Sequence, residues 1–196
     1  LYRWRGGVMA TYDLPTSLLV GEVAFPINYG WKNAIAALAE LGNPEKGKAE
    51  KITNMLCRVF PQWAKIPRES IPEAIEKARW FLDCGRDPDG EVRPKLMDWE
   101  QDAGIIIPAL NQVSGQEIRL SPDIHWWTVY GWFMSIDKGV FCTVLRVRSK
   151  LSTGEKLDKS EKKFYRENRR LVELKNKDTD AVRQAREEIK GLLGGG

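Results

Sequence analysis

The chain has 196 residues, 42% of them hydrophobic and 30% charged, with a net charge of +4. That is enough apolar residue for one folded domain, or one domain with an extension, while no apolar run approaches the ~20 residues that a bilayer-spanning helix needs. Acids interleave with the bases almost everywhere, so the small positive excess permits a polyanionic partner without arguing for one.

Three widely spaced cysteines, Cys57, Cys84 and Cys142, fit free thiols in a reducing cytoplasm better than a disulfide framework. The chain has no Cys-x-x-Cys, and a single histidine, His125, leaves little from which to assemble a zinc site. Neither a metal nor any other cofactor is expected.

In chain order, LYRWRGGV precedes Met9. Residues 1–8 are expected to be translated leader, with a genuine short basic arm as the alternative, and an independent start at Met9 is the simpler expectation. Residues 1–13 are therefore set apart from a single helical domain over 14–174. Leu18 to Asn28 reads LLVGEVAFPIN, two short apolar runs about Gly21-Glu22, which predicts a small β-hairpin packed on helices. Trp31 to Leu41 predicts a helix with Trp31, Ile35, Leu38 and Leu41 on one face, ended by Gly42-Asn43-Pro44. Glu45 to Phe60 predicts the next, with Ile52, Met55, Leu56, Val59 and Phe60 inward. Ser70 is the expected cap of a third, running to Leu82 with Pro72 in its first turn and Glu73 completing a capping box. Cys84 to Pro94, CGRDPDGEVRP, is turn-rich and reads as a loop.

Leu96 to Val113 carries Asp98, Glu100 and Asp102 ahead of an isoleucine-rich run. Acids in an opening turn complement the helix dipole, and Pro108 is expected to kink the helix or start a new turn. Asp123 to Lys138, DIHWWTVYGWFMSIDK, is the most aromatic stretch. At about 100° per residue, Trp126, Tyr130 and Phe133 stack on one line. Trp127 and Met134 flank them on one side, Val129 and Ile136 on the other. Ser121-Pro122 is its start signal. The apolar arc covers about half the circumference, wider than an ordinary surface helix needs. It predicts a central core helix, with room for part of the face, Trp132 above all, to meet a partner. Val140 to Val147 predicts a short helix broken at Ser152-Thr153-Gly154. From Lys156 the composition turns to Lys, Arg and Glu with a thin stripe of Phe164, Leu171 and Leu174, which predicts one or two exposed amphipathic helices. A last helix capped by Asp178 or Thr179 and a flexible Gly194–Gly196 tail fill residues 175–196. The fold class is mainly α.

Catalytic signatures are missing: there is no nucleophile elbow, no phosphate-cradling glycine loop and no His-Glu-x-x-His. Asp98 and Asp102, if helical, share a face at i,i+4, but a negatively charged helix start is the better reading, with contact to Lys or Arg of the basic C-terminal segment as a second, weaker role. His125, alone at a helix start, reads as structural. Lys156 to Arg170 has bases for phosphates but few aromatic platforms beyond Phe164 and Tyr165, so a solvated helical face is favoured over nucleic acid.

The second half, taken as one string, resembles the phage family historically called gene product fifteen, found in long-tailed phages and prophages of Gram-positive bacteria. The residues that carry the likeness are Asp98 to Asp102 as the Asp-x-x-x-Asp-like pattern, and His125-Trp126-Trp127 at the head of the aromatic helix. Val147-Arg148 stands as the Tyr-Arg-like element, and Lys162 to Tyr165 as Lys-x-x-Tyr. The likeness covers roughly Leu14 to Leu174 and departs from the pattern at Gly104–Leu110, which is less aromatic, and in the extension after Leu174. The resemblance implies a helical, non-enzymatic tail-assembly-chaperone-like protein. Such a protein works in the host bacterial cytoplasm, binds the tape-measure protein, assists tail tube assembly and is left out of the finished virion. Tape-measure and tail tube proteins are the implied partners, with self-association open and neither membrane nor nucleic acid expected. The partner-binding residues it suggests are Trp126, Trp127, Tyr130, Trp132, Phe133, Asp98, Asp102, Lys162, Lys163, Tyr165 and Arg169. The alternative is a nucleic-acid-binding prophage regulatory protein that uses Lys156 to Arg186.

Overall fold

The computed structural model describes residues 13–43, 45–86 and 94–175. The expected leader, most of the Cys84–Pro94 loop and the expected last helix and glycine tail lie outside the described residues. Within them the chain is mainly α, with eight α-helices and one two-stranded antiparallel hairpin. Strand β1 (Ser17–Val20) pairs with β2 (Val23–Pro26) in the register Val20↔Val23 to Ser17↔Pro26. The turn is Gly21-Glu22, as the sequence predicts, and Gly21 takes a φ of 62°, which a glycine adopts without strain. Leu18, Val20 and Phe25 are buried beneath the hairpin.

Helix α1 (Trp31–Gly42) packs against α2 (Lys48–Val59). Its buried residues are Trp31, Ala34 and Ala37, while Ile35, Leu38 and Leu41 are only half-buried. The predicted face is therefore turned by a fraction of a helical turn: alanines, not the larger aliphatics, lie at the closest approach, where small side chains let helices come together. Helix α2 begins after Gly47, later than Glu45, and buries Met55, Leu56 and Val59, with Phe60 next to it.

Helix α3 (Ile71–Leu82) has Ser70 at its N-cap, but the hydroxyl makes no capping bond. A 3-10 turn over Arg68–Ser70 leads straight into the helix and puts Ser70 in a right-handed conformation, φ −92° and ψ −3°, instead of the extended one a capping serine adopts. Glu73 is drawn off as well: its carboxylate accepts the Gly21 N–H at 2.8 Å and ties the hairpin turn to α3.

Helix α4 (Ala103–Ser114) ends at Gly115 in the left-handed conformation, φ 71°. It runs on through Pro108, so no new helix starts there. Pro108 lies on the exposed side, and the carbonyl that loses its donor belongs to Gly104, also exposed and so open to solvent. Helix α5 (Trp126–Met134) is nine residues long, shorter than the stretch from Asp123 to Lys138 that the periodicity suggests. Its cap is His125, not Ser121-Pro122. Residues around Pro122 instead approach the backbone before α1: a Cβ on Gly30 would stand 3.0 Å from the Pro122 carbonyl, and Trp31 Nε1 donates to the Ser121 carbonyl at 3.1 Å. A bridge between Gly30 and His125 fastens the entries of α1 and α5 together. Helix α6 (Val140–Thr153) is longer than Val140–Val147 and ends at Gly154, φ 72°.

Helix α7 (Lys159–Glu167) opens with a complete capping box, in which Asp158 accepts the Glu161 N–H and Glu161 accepts the Asp158 N–H. The short α8 (Arg169–Val172) follows. These helices are not simply exposed: Val172 joins Val144 and Val147 in a second small core, flanked by Ile105, Leu157, Phe164, Tyr165 and Leu171.

One buried ion pair fastens this second core to the first. Asp102 is 0% exposed and Arg148 is 6% exposed. The guanidinium spends all five donors: Nη1 and Nη2 grip the Asp102 carboxylate at 2.7 and 2.8 Å, Nη1 also reaches the Leu96 carbonyl, Nη2 the Leu171 carbonyl and Nε the Val172 carbonyl. Arg148→Met strands a buried carboxylate and should cost about 3–5 kcal/mol in urea unfolding. Arg148→Lys should cost nearly as much, because three ammonium donors cannot serve a fork and three carbonyls; a loss for Lys below ~1 kcal/mol would contradict this account.

His125 is another buried polar anchor. Nδ1 accepts the Trp127 N–H at 3.1 Å and Nε2 faces the Pro15 carbonyl at 2.8 Å, so the neutral ring protonated on Nε2 satisfies both. Burial holds its pKa below the ordinary 6.5, outweighing the opposing Pro15 hydrogen bond. The stability tied to a neutral His125 is therefore complete above pH 6.5 and declines as pH falls through that value toward the lowered one. His125→Asn keeps an acceptor for the Trp127 N–H and should flatten the fall in urea midpoint between pH 7 and pH 5.

Candidate functional site

The residues that the sequence marks for partner binding fall into separate groups. Trp126 is core: it is fully buried, and its Nε1 donates to the Leu82 carbonyl at 2.9 Å. It presents nothing to a partner. Trp127 is half-buried, donates to the Phe81 carbonyl at 2.8 Å and meets Trp80 edge-on at 5.2 Å. Tyr130 is half-buried under the Arg86 guanidinium, which lies over its ring at 4.6 Å and donates to its hydroxyl. Phe133 packs between Trp99 at 5.1 Å and Phe141 at 5.6 Å. Trp132 is half-buried at the margin of the main core.

Asp98 and Asp102 do not share a helical face, because residues 98–102 form the turn ahead of α4. Asp102 is consumed by Arg148, and its Oδ2 also accepts the Asp98 N–H at 2.9 Å. The Asp98 carboxylate points away and accepts the N–H groups of Glu100 and Gln101 and the Lys95 ammonium. Burial opposes its ionisation, but the Gln101 N–H and Lys95 outweigh it and hold Asp98 below the usual carboxylate range. The expected contact of these carboxylates with Lys or Arg of the C-terminal segment is not made: Asp98 pairs with Lys95 and Asp102 with Arg148 on α6, and the segment is reached instead by the Gln101 amide, which pairs with the backbone of Glu173 and Lys175.

Lys162 and Lys163 are exposed on α7, remote in role from the aromatic set. Tyr165 donates to Glu173 at 2.7 Å, a bond that raises its pKa, and Arg169 grips the same carboxylate oxygen at 2.7 Å. Tyr165 and Arg169 thus close α7 and α8 on themselves.

Asp98 borders a groove of about 620 Å³. Its apolar lining comes from Leu38 and Ala39 on α1, Met97 and Trp99, and Leu174. Its rim alternates charge: Glu40 binds Lys46 at 2.7 Å and lies 3.9 Å from Arg58, and Lys95 binds Asp98 at 2.8 Å. The Lys46 hydrogen bond, followed by that from Asn54, lowers the Glu40 pKa, so the rim stays ionised. Trp99 joins this groove to the core, meeting Trp126 edge-on at 5.7 Å. Sequence reasoning missed Glu40, Arg58, Met97 and Trp99. They come from three segments far apart in the chain, and no local period marks them.

Among the described residues no group of three or more His, Cys, Asp or Glu is placed to hold a metal ion, and no helix is long and apolar enough to cross a membrane. The chain matches no family model, and no curated protein and no solved structure is significantly similar to it.

Trp126→Ala should cost about 3–5 kcal/mol, the loss expected of a large buried aromatic. Trp132→Ala, at the core margin, should lower the melting temperature by much less; equal losses for the two would mean that Trp132 belongs to the core.

Proposed function

We propose that this chain is a helix-binding interaction protein of the phage tail-assembly-chaperone kind, whose groove beside Trp99 receives an amphipathic helix of a tape-measure protein. The observation that supports this reading is the groove itself: an apolar floor of Leu38, Ala39, Met97, Trp99 and Leu174 between rims of paired opposite charges. An amphipathic helix lays its apolar stripe into such a floor, and its flanking charges meet the rim. A long helical protein with exposed apolar stripes aggregates unless it is covered, and covering it needs no catalytic group, metal or cofactor. The order Asp98–Asp102, His125-Trp126-Trp127, Val147-Arg148, Lys162–Tyr165 adds the family resemblance. On that reading the protein acts in the host cytoplasm, helps tail tube subunits assemble around the tape-measure chain, and does not remain in the virion.

Co-expression with the tape-measure protein tests this. The wild-type chain should raise the soluble fraction of that protein, and Ala39→Arg, which fills the groove from a half-buried helical position, should abolish the effect while shifting the melting temperature by only a few degrees. Unchanged solubility with the wild-type chain removes the proposal.

A further inference from the structure

In sequence the acids of residues 155–173 interleave with the bases; in space most of them are engaged away from the outer face of α7. Asp158 is taken by the α7 cap. Glu161 is 4% exposed and bonded to Lys150 at 2.9 Å, with Arg146 at 3.5 Å. Glu155 lies 3.8 Å from Lys150, and Glu173 is held by Tyr165 and Arg169. The buried side of α7 carries Glu161, Phe164 and Tyr165. Its outer side carries Lys159, Lys162, Lys163 and Arg166, all exposed, at the i, i+3, i+4, i+7 spacing of one helical face. Only Glu167 joins them, 4.0 Å from Lys163. Lys159, Lys162, Arg166 and the following Arg170 have no ion pair among the described residues.

We propose that this outer face of α7 binds the phosphate backbone of duplex nucleic acid without reading its sequence. The four cations of α7, Lys159, Lys162, Lys163 and Arg166, span about 10 Å of helix at 1.5 Å per residue, and a convex helix of this width enters a major groove. The face carries no apolar residue. An acidic protein would therefore meet it through exposed ion pairs alone, each worth about 0–1 kcal/mol, with no apolar centre to the interface. A polyanion differs, because each neutralised phosphate releases condensed counterions and the gain accumulates over the row. The face offers nothing but its cations, and their attraction to phosphates does not depend on base sequence. It is separate from the groove and stands whether or not the groove binds a helix.

The test uses the full chain and a fluorescent duplex of random sequence, titrated from about 20 to 200 mM KCl. Binding at the lowest salt should weaken with a slope of log K against log salt of about −3.6 for four phosphates. K162E/R166E should weaken binding by more than about tenfold at the lowest salt and roughly halve the slope. K162Q/R166Q should fall between, and thermal melts of both should match wild type, since both residues are exposed. K48E/K65E makes the same change in net charge at exposed positions off this face and should leave affinity within about threefold. No binding by the wild-type chain at about 20 mM KCl, or equal losses for the two charge reversals, overturns the proposal. So does displacement of the duplex by polyglutamate at lower charge concentration than by unlabelled duplex, which would assign the face to an acidic protein.

Discussion

The fold depends on a charge that has nowhere to go. Asp102 is withdrawn from water at the head of α4, and an ionised carboxylate in that position is tolerated only with a partner of matching shape. Arg148 supplies it and in the same stroke ties down the carbonyls of Leu96, Leu171 and Val172. One side chain on α6 thereby determines where the segment before α4 and the end of α8 lie. Lysine has neither the planar fork nor enough donors for this arrangement. The chain ends its described course beside the groove because of this knot: Leu174 and Lys175, just beyond the fastened carbonyls, form part of the groove wall.

The aromatic residues make a second continuous layer. Trp126 is surrounded, and Trp99 and Tyr130 pack edge-on against it. Phe133 bridges Trp99 and Phe141. Edge-to-face and tilted contacts of this kind add specificity to the area they bury. The layer has a functional consequence, since the Trp99 ring that lines the groove is held from behind by core residues. A groove with a preformed wall loses less on binding a helix than one that must assemble it. At the other end of the layer His125 caps α5 through Trp127 and anchors Pro15, with Tyr29 stacked on it at 5.5 Å.

Much was legible in the sequence. The hairpin followed from two apolar runs about Gly21-Glu22, and the inward residues Met55, Leu56, Val59 and Phe60 followed from helical spacing, because these are local consequences of period and turn chemistry. The mainly α class, a buried Trp126 and a structural His125 were readable for the same reason. Errors gathered at helix starts. Ser121-Pro122 and Glu45 are good start residues by type, yet an approach of Gly30 to Pro122 and the place of Gly47 decided otherwise; at Ser70 the helix starts where expected, but a preceding 3-10 turn removes the capping bond. Capping is a matter of backbone conformation, and neighbours outside the window set that.

What the sequence by itself determined is the set of elements and which residues avoid water, since both depend on side-chain chemistry repeated over a few residues. Only the tertiary structure decided the pairing of Asp102 with Arg148, the groove built from α1, Met97–Glu100 and Leu174-Lys175, and the turning of Glu161 inward so that the outer face of α7 is mostly basic. Each of these joins residues tens of positions apart or depends on which side of a helix meets the core. Sequence order carries charge and hydropathy, but the sign of a surface and the shape of a cavity exist only once the chain has packed.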